Sequence, residues 1–202
     1  MKEKIKESYL TLAKSQGKRP ASMLALANAL AVAERELYAH YASVGAIERD
    51  LLLDSFTQTT DRLAAEAVYA DYSTREKLLA IAYTWLEVLK EERSLWLIIM
   101  EGGQRTQPLD GAEKAFEQFA KHILNEGISR QEIAERLWIS DYNANLLWWQ
   151  YAQVIVFWLR DESDNFEKTD TFVEKSLNFL LDLLQPNFFD SGFSWLKFRA
   201  QA

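Results

Sequence analysis

Residues 21–47 read ASMLALANALAVAERELYAHYASVGAI, and their spacing decides the fold. Met23, Leu26, Ala27 and Leu30 recur at i, i+3, i+4 and i+7, one face of a helix. A second segment begins near Ala33 and sets Leu37, Tyr38 and Tyr41 on one face. Helices this short are unstable alone, because nucleation is costly and few hydrogen bonds repay it. They must lean on each other and on a third helix. Two helices joined by a turn of three or four residues form a helix-turn-helix, whose second helix can enter a DNA major groove.

The third helix precedes them. Residues 2–16 put Ile5, Tyr9, Leu12 and Ala13 on one side, Gly17 offers a left-handed cap, and Ser22 is placed to cap the next helix. Downstream, the pattern predicts a long helix over 45–69 with Ile47, Leu51, Leu52, Phe56, Leu63 and Val68 inward. Ser73 and Glu76 form a capping box ahead of Leu78, Ala82, Trp85, Leu86 and Leu89. Leu95–Met100 reads as a buried helix broken at Gly102–Gly103, and 111–126 as an amphipathic one. Ser129 and Glu132 suggest a second capping box, opening a short segment through Ile139. Helices over 141–160 and 168–185 follow, then an aromatic tail, 187–202. The expected architecture is all-α: a three-helix head, residues 1–46, on a larger helical bundle, residues 47–202.

Composition agrees. Hydrophobic residues at 49% supply a core, while seven Gly and three Pro are too few for a turn-rich β fold. Cysteine is absent, which excludes disulfides and thiolate chemistry. The charged start MKEKIKESYL lacks a signal peptide's apolar stretch, so a cytoplasmic protein without stable membrane insertion is expected. Charge is uneven. Residues 1–47 carry seven bases (Lys2, Lys4, Lys6, Lys14, Lys18, Arg19, Arg35) against Glu3, Glu7, Glu34 and Glu36, a head of +3 on a chain of −7. A basic head on an acidic body points to a nucleic-acid-facing end.

Catalysis finds little support. His40 and His122 are the only histidines, phosphate-loop and dinucleotide glycine patterns are missing, and no nucleophile-elbow sequence surrounds a serine. Neither catalytic residues, metal nor cofactor is expected. The run Leu146–Leu159 is apolar almost all round, and such a helix must be enclosed on every face. A partner subunit is expected to cover part of it.

Ser22, Leu26–Ala27, Val32 and the run Leu37, Tyr38, His40, Tyr41, Ser43, followed by about six longer helices, resemble the TetR family of transcriptional regulators. The resemblance implies a homodimer whose two heads bind palindromic double-stranded DNA, and a body whose small ligand releases it. Carried onto this sequence, it puts Ser22, Glu34, Arg35, Tyr38, His40 and Ser43 at DNA, with Lys18 and Arg19 at phosphates. A small apolar or aromatic ligand would meet Phe56, Tyr83, Trp85, Trp96, Met100, Phe116 and Trp148. The dimer would close on Trp149, Ile155, Trp158, Leu177 and Leu181.

Four departures stand in the head. Ala31 replaces a turn glycine, Ala33 a hydroxyl cap, Glu34 a lysine, and Val44–Gly45 a Lys–Glu pair. Acids in a first helical turn stabilise the helix dipole but oppose the phosphate field. An alternative therefore keeps the fold and discards the DNA: a TetR-fold lipid- or isoprenoid-binding protein.

Overall fold

A computed structural model describes residues 1–133 and 140–184, with side chains over 1–133 and 144–182. The α-helices among them are α1 (Lys2–Gln16), α2 (Met23–Leu30), α3 (Glu34–Tyr38), α4 (Val44–Ala65), α5 (Thr74–Lys90), α6 (Arg93–Ile99), α7 (Asp110–Ser129), α8 (Ser140–Arg160) and α9 (Glu167–Leu184). There is no strand among the described residues.

Local chemistry sets the boundaries. Gly17 ends α1 at φ 62°, and Ser22 Oγ accepts the Ala25 N–H at 3.2 Å to start α2. α2 then ends on Ala31, which holds φ 53° without being glycine, while Val32 N–H reaches back to the Ala27 carbonyl at 3.1 Å. Ser43 caps α4, and Ser73 with Glu76 caps α5 as the capping box predicts.

Ile5, Tyr9, Leu26, Leu37 and Ile47 are fully buried, so α1–α3 pack with α4 in a hydrophobic core that continues without a break to Leu181. α4 thus belongs to both parts. Its second turn also meets α7 tightly, since a Cβ on Gly111 would lie 2.0 Å from the Arg49 carbonyl oxygen.

Three expectations change. α4 stops at Ala65 and a 3-10 turn follows over Ala67–Asp71, which leaves Val68 exposed rather than inward. Ser129 does not open a helix; it closes α7, its hydroxyl donating to the Asn125 carbonyl. Glu132 instead accepts the Thr74 N–H at 2.6 Å, and that bond holds its carboxyl below the usual range despite partial burial. Residues 134–139 and the aromatic tail, 187–202, lie outside the described residues.

The third change concerns α8. Leu147, Trp148, Tyr151, Val154, Ile155, Val156, Trp158 and Leu159 are all buried within the single chain, between α7, α9 and the turn at Glu101–Gly103. The chain itself encloses most of this helix through α7, α9 and that turn, and leaves Leu146 and Trp149 exposed as the part a partner would cover.

Candidate nucleic-acid interface and ligand-facing core

α3 has one anchor and one free face. Leu37 is buried, whereas Arg35, Tyr38 and His40 are exposed, and Arg35 has no partner among the described residues. Tyr38 Oη donates to Glu34 Oε1 at 3.1 Å, and that bond raises the phenol's pKa. Glu36 Oε1 accepts the Ala33 N–H at 3.3 Å, the half of a capping box that needs no side chain on Ala33. Both acids are therefore engaged along the helix itself. Ser22 and Ser43 each accept a backbone N–H at 3.2 Å as helix caps, yet stay exposed, so each hydroxyl keeps a proton to donate.

Three of the seven bases counted in the head are paired with carboxylates of the same chain. Lys6 pairs with Asp54 at 2.5 Å and Glu3 at 2.8 Å, and Lys14 pairs with Glu92 at 2.7 Å. Arg19, expected at a phosphate, turns inward: its Nε lies 2.5 Å and its Nη2 3.1 Å from the two oxygens of Glu48. Burial lowers its pKa, but the Glu48 bonds outweigh this and raise it, so the guanidinium stays charged. Lys2, Lys4, Lys18 and Arg35 remain without a carboxylate among the described residues, Lys2 lying over the Tyr41 ring at 5.1 Å.

Glu48 escaped the sequence reading. Its carboxylate is 0% exposed and also accepts Tyr9 Oη at 2.8 Å and Arg105 Nη2 at 2.7 Å. Burial and the adjacent carboxylate push the Tyr9 hydroxyl's pKa well up, so it serves as a donor. A buried carboxylate demands such partners, because unpaired it costs several kcal/mol (about 3–5 when one partner is removed). A signal did exist: Glu48 falls on the stripe Glu48, Leu52, Phe56, Thr59, Leu63, an acid in an otherwise inward face of α4.

In the body, four of the expected ligand residues come together. Phe56 lies 4.9 Å from Trp85 and 5.7 Å from Phe116, and Trp148 lies 5.5 Å from Phe116, ring centre to ring centre. Tyr151 joins them at 4.5 Å from Phe116. The polar tips are satisfied internally, Trp85 Nε1 by Ser55 Oγ at 3.0 Å and Tyr151 Oη by the Leu78 carbonyl. Trp96 and Met100 are buried in and just after α6, apart from this ring group. Tyr83 is separate: it lines a cleft of about 90 Å³ with Trp158, Phe166 and Asp170.

The expected dimer residues divide. Trp149 is 57% exposed, but Ile155, Trp158, Leu177 and Leu181 pack inside the chain, so their burial needs no partner. Leu146 and Phe179 are the exposed apolar neighbours that the sequence reading missed, and Phe157 stacks on half-buried Phe172 at 4.6 Å. Their outward register follows from how the neighbouring helices pack, α7 and α9 on α8, and α5 and α8 on α9.

A helix-turn-helix at the N-terminus, shared through α4 with an aromatic-cored helical body, defines an all-α regulator class. A model of the tetracycline repressor-like C-terminal domain matches residues 77–198, which begins in α5 and takes in α6–α9. The chain belongs to the TetR family of transcriptional regulators. Compared with curated proteins, it has no match. Among the described residues, no helix is long and apolar enough to cross a membrane.

Proposed function

We propose that this regulator is a homodimeric repressor, residues 1–46 reading a palindromic operator and residues 47–202 holding a small, largely apolar ligand that releases it. The observation that carries the reading is the free face of α3, where Arg35, Tyr38 and His40 stand exposed above the buried Leu37. Arg35 is the base-reading residue, Tyr38, Ser22 and Ser43 contribute hydrogen bonds, and Lys18 neutralises phosphate. The ligand enters the group around Phe56, Trp85, Phe116 and Trp148 by displacing rings. Leu146, Trp149 and Phe179 meet their counterparts across the dimer axis.

Selection of bound fragments from genomic DNA tests the reading: enrichment of one palindromic site upstream of a gene supports it, and no enrichment at low salt removes it. The second reading, lipid or isoprenoid binding without DNA, is favoured by the internal pairing of Lys6, Lys14 and Arg19. Native mass spectrometry of the purified protein decides it, since a co-purifying apolar molecule without operator enrichment would put it first.

A further inference from the structure

We infer that Arg105 and Glu48 form an ionic joint that fixes the head on the body, and that Arg105 is the positioning residue through which the end of α6 sets the head's angle. Its regulatory meaning rests on the proposed function; its mechanical content does not.

The joint gathers three parts of the chain on one carboxylate. Glu48 lies in the second turn of α4, Arg19 in the link between α1 and α2, and Arg105 in the link between α6 and α7. Arg105 faces two ways, its Nη2 on Glu48 at 2.7 Å and its Nη1 on the Ile99 carbonyl, the last residue of α6, at 2.8 Å. A planar fork holds both acceptors in fixed geometry, which a lysine cannot do. Movement of the α6 end therefore moves the group that neutralises Glu48, and Arg19 shares that carboxylate from the head.

The link carrying Arg105 has little slack. Glu101 holds φ 49°, Gly102 φ 64° and Gly103 φ 83°, three successive left-handed residues. Arg160 of α8 binds the Gly103 carbonyl, and a Cβ on Gly103 would stand 3.0 Å from Arg160 Nε and 3.2 Å from the Val156 carbonyl. Arg105 N–H returns to the Met100 carbonyl at 3.0 Å. Strain held at this density marks a segment fixed by its surroundings, so displacement passes through it instead of being absorbed. Trp96 in α6 and Met100 at the start of the link are among the positions where the family resemblance puts a ligand.

The absence of cysteine makes the test direct. Leu24 in α2 and Gln118 in α7 are both exposed and can be replaced by cysteine for spin labels, with labelled chains diluted in unlabelled protein. The parent pair is expected to give one narrow head-to-body distance distribution. Arg105→Met should widen it at least twofold, and Arg105→Lys, which keeps the charge but loses the fork, should fall between. A width unchanged in Arg105→Met overturns the joint, even where the melting temperature falls, because loss of stability alone is what a merely structural contact would show. If Arg105→Met does not fold, Arg105→Lys decides on the same criterion. The measurement uses no DNA, so it stands or fails independently of operator binding.

Discussion

Glutamates occupy two regions of this protein under opposite conditions. On α3, Glu34 and Glu36 make contacts within four residues of themselves, to Tyr38 and to the Ala33 backbone, at the solvent edge. Directly behind the head, Glu48 is wholly buried and joins residues 29, 39 and 57 positions away. The first pair adjusts a short helix and tunes the field that DNA would meet; the second carboxylate decides where the head sits. Removing solvent is what separates them, since charge interactions at the surface are screened while a buried charge must be matched.

The contrast sharpens most at Glu48. Glu48→Ala strands Arg19 and Arg105 and is expected to cost about 3–5 kcal/mol, lowering the melting temperature by on the order of 10 °C. Gly111→Ala probes the same seam from α7. Helix propensity alone would favour alanine by about 1 kcal/mol. The contact with the Arg49 backbone outweighs it, and urea unfolding should show a net loss of about 1–3 kcal/mol. On the head side the sign reverses: Ala31→Gly relieves a left-handed alanine and should raise stability by up to about 1 kcal/mol in the same assay. Smallest is Glu34→Gln, expected to shift stability by less than about 0.5 kcal/mol. A cost for Glu34→Gln equal to that of Glu48→Ala would erase the distinction between the two regions.

The fold was legible because periodicity and caps are local. Met23–Leu30, Leu37–Tyr41 and the Ser22, Ser43 and Ser73 caps are written within a few residues of one another, and the family resemblance needed no more. The aromatic group was legible in part, since rings on body helices had to be inside, though only packing separates Tyr83 from Phe56. Long-range pairing was not legible. Counting Arg19 as a free cation failed because its partner lies 29 residues on, and the apolar run of α8 could not reveal that α7 and α9 enclose it. What remained exposed on α8 and α9, Leu146, Trp149 and Phe179, depends on helix placement that no local pattern encodes.

Pairing also fixes how this head should meet DNA. With Lys6, Lys14 and Arg19 committed internally, and with Lys18 and Arg35 the two remaining head cations that the proposed function puts at DNA, two heads make about four phosphate neutralisations, so log K against log salt should slope at about −4. Operator affinity measured from low to physiological salt, with Arg35→Ala alongside, tests this most directly. The expected result is sequence-specific binding with that shallow slope, weakened at least tenfold by Arg35→Ala. A slope near −8, or no sequence preference at the lowest salt, would contradict it.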